Sequence, residues 1–473
     1  GALRPADWAA LRFTIGQAAV SAGLSVALAV PVARALARRR FAGRGLLITL
    51  LGAPFLMPVI VAVLGLLAVF GRQGLLNRGL EALGLPAIPV FGPQGVILAH
   101  VFLNLPFAVR LLLQGWATIP AERFRLAASL GFGPGEIARY LERPMLREML
   151  PGAALAVFLI CLSSFTVALV LGGGPRATTL ELAIYQAFRF DFDLARAATL
   201  GAMQVAVCAA VTVASLSVAL PSGVGAGLDR AVERWDAARP LLRIQDGALI
   251  LFAALFLLVP LAAIILSGLS ALGDLPESVW RAALRSTVMA VISAAISVLG
   301  ALAIAIAAAR MALGRARALE ALGMSALAAS PLVIGTGLFL VMRPVADPVA
   351  LALPVTVAVN AVMALPFALR SLAPAARAVE ADYGRLADSL GMTGAARLRL
   401  LTLPRLRAPI GFAAGLSAAL AMGDLGVVTL FADPERGTLP LVLYQLMGAY
   451  RMDAAAGAAV LLLALSLALF WLF

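Results

Sequence analysis

Lysine is missing from all 473 residues, so the entire basic complement is arginine. A phosphate-binding loop ending in Gly-Lys-Ser/Thr is thereby excluded, and any ATP that drives this protein must be bound by another chain. Histidine occurs once, at His100, which rules out multi-histidine metal sites and HExxH chemistry. The two cysteines, Cys161 and Cys208, both fall inside apolar runs. They read as small buried residues rather than a disulfide. Charged residues make up only 13% of the chain, roughly half of what a soluble domain carries. These shortages leave little from which to build a catalytic cluster, and no cofactor or metal is expected in this chain.

What remains is apolar. The chain is 62% hydrophobic, with a mean hydropathy of +1.00, and it reads as an all-α polytopic membrane protein. The net charge of +13 points at first to nucleic acid. The arginines, however, gather in short segments between apolar runs, as the positive-inside rule predicts for cytoplasmic loops. Basic patches interleaved with aromatics, which would stack bases, are absent, so no nucleic-acid partner is expected.

In order, an apolar run from Leu11 to Val32 leads to ARALARRRFAGR, the densest basic cluster, with Arg34, Arg38, Arg39, Arg40 and Arg44. That places the loop inside. Leu46–Phe70 then crosses outward, Gly71–Pro93 lies outside, and Val96–Gly115 returns. Pro151–Leu171 goes out again, Gly172–Leu200 is external, and Ala198–Leu220 comes back to a polar linker. The second half repeats the scheme with runs at Ala248–Leu269, Ser286–Ala308, Leu319–Val341, Val349–Leu369, Ala408–Phe431 and Ala454–Phe473. LRFT at Leu11–Thr14 matches LRST at Leu284–Thr287. Parallel halves of this kind are a known transporter architecture. The expected divisions are a first membrane domain over 1–222, a cytoplasmic linker over 223–246 and a second membrane domain over 247–473. About eleven spans are visible and about twelve would make two equal sets, so one helix is expected before Gly1.

The most informative stretch is polar and occurs twice: AERFRLAASLGFGPGEIARYLERPML (Ala121–Leu146) and ADYGRLADSLGMTGAARLRLLTLPRL (Ala381–Leu406). The copies align at a constant offset of 260 residues, Gly131 to Gly391 and Pro144 to Pro404, and share Arg-Leu-Ala-x-Ser-Leu-Gly. Each reads as two short helices around a glycine hinge. Gly131 and Gly391 stand where a left-handed cap would end the first helix, and Pro134 or Thr393 starts the next.

These loops resemble the cytoplasmic EAA loop of permeases in bacterial ABC importers, which runs Glu-Ala-Ala, three residues, Gly, then Leu-Pro. Here Arg125-Leu126-Ala127 leads to Gly131 and Arg143-Pro144, and Arg385-Leu386-Ala387 leads to Gly391 and Leu403-Pro404. Arginine replaces the family's Glu in both copies, and an acid sits one turn earlier, at Glu122 and Asp382. VILAHVFLNLPFAVRLLLQ (Val96–Gln114) and GGGPRATTLELAIYQAFRFDFDLARAATL (Gly172–Leu200) narrow the resemblance to the fused permease of bacterial thiamine ABC importers.

The resemblance implies two tandem MetI-like transmembrane permease domains in the bacterial inner membrane. It also implies two copies of a separate ABC ATPase subunit docking on the loops, and a periplasmic substrate-binding protein that delivers a small molecule. Under it, Glu122, Arg125, Ala127, Gly131, Pro144, Asp382, Arg385, Ala387, Gly391 and Pro404 are the coupling residues. Fused ferric-iron permeases share the layout and are the nearest rivals. A secondary transporter would need more embedded acids than Asp424 and no duplicated loops.

Polar groups inside spans are costly and mark functional candidates. His100 and Asn104 share a helix face four residues apart. Ser163, Ser164 and Thr166 sit mid-span after the first loop, Asp424 stands 260 residues beyond Ser164, and Asn360 precedes the second loop. Either these groups line a translocation pathway or they form ordinary interhelical hydrogen bonds. Arg110 and Arg370 each follow LPFA at the cytoplasmic rim, where they snorkel.

Overall fold

A backbone crossing a bilayer must satisfy its own hydrogen bonds, and helices do this within one segment. The computed structural model describes residues 3–215, 239–344, 351–431 and 437–473, and every regular element among them is helical. Ten described helical segments are long and apolar enough to cross a membrane. Of the linker expected at 223–246, residues 223–238 lie outside the described residues.

Four expected runs are broken rather than continuous: Pro151–Leu171 and Ala408–Phe431, whose breaks lie at the candidate site, and two more. Leu46–Phe70 divides into Arg44–Leu50, Ala53–Leu56 and Val59–Phe70, with Pro58 just ahead of the last piece. Leu319–Val341 divides into Leu313–Met324 and Pro331–Met342, because Pro331 has no N–H to continue a helix. Ser330 caps the restart, its hydroxyl accepting from the Leu332 N–H at 3.2 Å.

The chain forms two compact units, residues 1–55, 62–183 and 206–266 in one and residues 56–61, 184–205 and 267–473 in the other. Their boundaries do not follow the halves of the sequence repeat. The first unit is built on α1 (Pro5–Arg38), α2 (Pro93–Thr118), α3 (Ala121–Ser129), α4 (Arg143–Leu162) and α5 (Phe165–Leu171). It also takes in most of α6 (Pro240–Ala271), the helix that opens the second half. Phe256 of α6 meets Phe102 of α2 edge to face, with centroids 5.6 Å apart. A Cβ on Gly65 would lie 2.9 Å from the Pro260 carbonyl oxygen, so only glycine admits α6 this closely.

The second unit is built on α7 (Glu277–Ala309), α8 (Ala352–Ser389), α9 (Leu403–Met422), α10 (Gly426–Phe431), α11 (Leu439–Gly448) and α12 (Met452–Leu472). Its core between α7, α8 and α9 is dominated by small residues, among them Ala301, Ala305, Ala368, Ala373, Ala376 and Ala413. Between membrane helices the drive is close packing rather than water exclusion, and small side chains allow it. α1 follows the same logic with a buried polar stripe, Thr14, Gln17, Ser21 and Ser25, spaced three or four residues apart.

The stripes also fix short helices. Thr14 Oγ1 accepts the Leu180 N–H at 2.8 Å, and in the second unit Ser286 Oγ accepts the Leu439 N–H at 2.8 Å. Each hydroxyl satisfies a helix-start donor that lipid would leave bare.

Candidate functional site

The two loops close in the same way. In the first, the Gly131 N–H bonds the Ala128 carbonyl at 3.0 Å and the Phe132 N–H bonds the Ala127 carbonyl at 2.9 Å. In the second, Gly391 and Met392 reach Asp388 and Ala387 at 3.1 and 2.9 Å. This is a Schellman end, and it requires the positive φ seen at Gly131 (+70°) and Gly391 (+64°). Ser129 and Ser389 each turn back on the carbonyl three residues earlier, at 2.8 Å. Pro134 occupies the first position of the following helix and Thr393 the N-cap position, both as expected.

Burial sorts the loop residues. Ala127 and Ala387 are buried, whereas Glu122, Arg125, Pro144, Asp382, Arg385 and Pro404 face outward. Arg125 spends its charge locally, on Glu122 at 2.8 Å. More telling are four residues that the sequence left unmarked. Leu126, Leu130, Leu386 and Leu390 are between 56% and 66% exposed. They stand at matching positions one turn apart, so each loop presents the same pair of apolar side chains among charged ones.

After each glycine the chain enters a single π turn, Ala138–Glu142 and Leu398–Thr402, again 260 residues apart. The cause is the proline two residues beyond each turn. Pro144 and Pro404 donate no N–H, and their rings clash with the carbonyl four residues back. The Arg143 and Leu403 N–H groups therefore reach five residues back, to Ala138 and Leu398.

The loops differ in what holds them. In the first unit Glu142, only 2% exposed, forms an ion pair with Arg34 of α1, Oε2 to Nε 2.7 Å, and accepts a hydrogen bond from Trp116 Nε1 of α2 at 3.3 Å. In the second unit the loop supplies the cation: Arg397 reaches Glu380 of α8 at 2.6 Å and also Asp388. Glu380 additionally meets Arg310, just past the end of α7, at 3.5 Å.

Within the spans, the helices after both loops break at equivalent places. α4 stops at Leu162 and α5 restarts at Phe165, while α9 stops at Met422 and α10 restarts at Gly426. Irregular backbone at membrane depth needs partners from neighbouring elements. The Cys161 carbonyl takes Gln17 Nε2 at 2.9 Å, and its counterpart Ala421 takes Asn360 Nδ2 at 3.5 Å.

His100 lies beside the first break, sharing a hydrogen bond with Ser164 Oγ at 2.6 Å and a longer one with Ser21 Oγ at 3.4 Å. Asn104 is held close by, donating to the His100 carbonyl at 2.8 Å and Cys161 Sγ at 3.4 Å. In the second unit Asn360 lies beside Asp424. Asp424 Oδ1 accepts the Gly426 N–H at 3.1 Å, and its buried Oδ2 has no hydrogen-bond partner among the described residues. His100 and Asn360 are themselves 260 residues apart, so His100–Ser164 and Asn360–Asp424 are the same pair of positions in two versions. Ser163 stands outside this arrangement; it is exposed and bonds the Leu159 carbonyl at 3.4 Å.

No family model matches the chain. Whole relatives do. The thiamine transport system permease protein ThiP of Brucella abortus is 41% identical over 472 residues, covering 98% of this chain and 86% of the relative. Its namesake from Escherichia coli is 39% identical over 475 residues, covering 98% and 88%. The chain belongs to the thiamine transport system permease family. It is accordingly a transport permease and a multi-pass protein of the inner membrane. A molybdenum transport system permease protein, ModB, of Mycobacterium bovis is 33% identical over 221 residues, covering 46% of this chain and 82% of its own length. One repeat of this family member is thus about what a permease of that shorter kind provides.

The signal for the exposed leucines was present in the shared Arg-Leu-Ala-x-Ser-Leu-Gly, whose helical spacing puts both leucines on one face. Nothing local marks Glu142. Its partner Arg34 is more than a hundred residues away in the chain and on another helix.

Proposed function

We propose that this chain is the membrane-spanning permease of an ABC importer that moves thiamine or its phosphate esters from periplasm to cytoplasm. Two ATPase subunits dock on the loops around Gly131 and Gly391, a periplasmic binding protein delivers the substrate, and ATP binding and hydrolysis switch the permease between outward and inward states. The observation that carries this reading is the repeated exposed leucine pair. An apolar patch at a polar, arginine-rich membrane face has no lipid to cover it, and such patches mark protein partners. The shared Schellman ends, with Ala127 and Ala387 buried beneath them, present that patch in one shape twice. The names of the relatives support the substrate.

The polar positions at the two helix breaks are the proposed pathway: His100, Asn104, Ser163, Ser164, Asn360 and Asp424. Thiamine carries a permanent cationic thiazolium, and Asp424 is the acid among these residues. The test is uptake of labelled thiamine by cells in which this system is the sole route. Wild type is expected to accumulate thiamine, and Asp424→Asn is expected to slow it roughly tenfold, the scale of one charge-assisted contact. Uptake of ferric iron without thiamine would overturn the substrate.

A further inference from the structure

The π turn of the first loop holds its one buried acid against a helix that is remote in sequence. Glu142 is 2% exposed and Arg34 of α1 is 30% exposed, with Oε2 and Nε 2.7 Å apart. One helical turn further along α1, Arg38 and Arg39 reach Asp246 of α6, with Arg39 Nε at 2.7 Å and Arg38 Nη1 at 3.6 Å. The arginine-bearing end of α1 is therefore a junction, with the loop on one side and α6 on the other. At the position of Glu142 the second loop has Thr402, which bonds back to the Arg397 carbonyl within its own loop at 3.3 Å. There the connection to the preceding long helix is made by a different acid, Glu380, on the other side of the glycine. Two repeats that reach the same kind of tie with unrelated residues point to the tie itself as the required feature.

We propose that Glu142 is a positioning residue that fastens the first loop to α1, so that a load applied at the loop moves α1 and, through Arg38 and Arg39, the Asp246 end of α6. This rests on the reading of the loops as ATPase docking elements. A buried carboxylate transmits force better than an apolar contact because separating it from its partner leaves a charge stranded in a low dielectric. The pair either stays closed and carries the movement, or the loop moves without α1.

The experiment uses the full chain with its ATPase subunit and binding protein in vesicles, reading labelled thiamine moved per ATP hydrolysed. Glu142→Gln keeps an acceptor for Trp116 and leaves Arg34 with access to water, so assembly is expected to persist, as shown by ATPase copurification. Substrate moved per ATP is expected to fall roughly tenfold, within the range by which single coupling residues act. The exchange Arg34→Glu with Glu142→Arg is expected to recover at least half of that loss, which a filler of space would not do. Should the exchange fail to insert, Arg34→Gln breaks the same pair from the wetter side. A wild-type ratio in Glu142→Gln, or an exchange no better than the worse single variant, would overturn the proposal. If Leu126→Glu with Leu130→Glu leaves docking intact, the docking reading falls instead; if that variant loses docking while Glu142→Gln stays coupled, only the role of Glu142 is lost.

Discussion

The two loops end alike and begin differently, and one pair of positions explains the difference. Pro120 and Glu380 are equivalent at the 260-residue offset. In the first copy Pro120 forces Ile119 into extended backbone (φ −73°, ψ 118°), so α2 stops and α3 is a separate helix. In the second copy Glu380 lets α8 run unbroken through 38 residues to Ser389. The same substitution moves the holding acid. With proline before the glycine hinge, the first loop takes its acid from the π turn, at Glu142; with Glu380 available, the second binds Arg397 and Arg310 there. The repeats have kept the glycine cap and the exposed leucine pair and let the ion pairs that support them diverge.

The strongest test of that equivalence charges the shared face. Leu126→Glu with Leu130→Glu in the first loop, or Leu386→Glu with Leu390→Glu in the second, is expected to abolish ATPase copurification. It should also cut uptake roughly a hundredfold, as two lost anchors at an interface centre would. Equal losses from either loop are the expected result; loss from one alone would mean that the loops meet different partners.

A smaller effect should separate the supports. Glu380→Pro imports the first copy's break into the second, where the chain has no compensating acid at Thr402. A proline inside a helix costs about 3 kcal/mol or more, and Arg397 and Arg310 lose a partner as well. A clearly lower melting temperature in detergent is expected, while Pro120→Glu is expected to be neutral or stabilising. A neutral Glu380→Pro would show that α8 gains nothing from its continuity.

How much of this was legible in the sequence depends on distance along the chain. The glycine caps were, because a left-handed position leaves a local signature and both glycines end a seven-residue string that the copies share at every position but Ala128 and Asp388. The membrane fold was, because long apolar runs and arginine clusters are local too. The breaks at Ser163–Ser164 and Gly423–Leu425 were not: the polar residues there stand out, but the Gln17 and Asn360 side chains that bond the carbonyls of Cys161 and Ala421 lie far away in the chain. The equivalence of His100 and Asn360 was available from the offset, since both are polar side chains inside spans 260 residues apart, but their partners Ser164 and Asp424 are met only in the fold. The π turns follow from Pro144 and Pro404 only once the helix is known to continue past them.

The smallest predicted effect is the most uniform. A Cβ on Gly131 or Gly391 would meet nothing within 4 Å, so Gly→Ala at either position is purely a matter of backbone conformation. The cost is about 1–2 kcal/mol for a left-handed residue with a side chain, equal in the two loops and readable as a modest, matched drop in thermal stability. Unequal drops would mean that one glycine is also a contact point.

The membership of α6 in the first compact unit has a consequence in time. Ribosomes deliver the chain from its first residue onward, and the first unit is unfinished until residues as far as Leu266 have emerged. The faces of Phe102 and Gly65 that α6 covers must wait, uncovered, for a helix encoded in the second repeat. Were the repeats separate polypeptides, each nascent first repeat would have to find that helix by diffusion in a crowded membrane. Joined in one polypeptide, the helix arrives at a local concentration on the order of millimolar, in a fixed one-to-one ratio and on schedule. Fusion in this family member thus acts as a built-in assembly factor, turning a search between two gene products into the next step of translation.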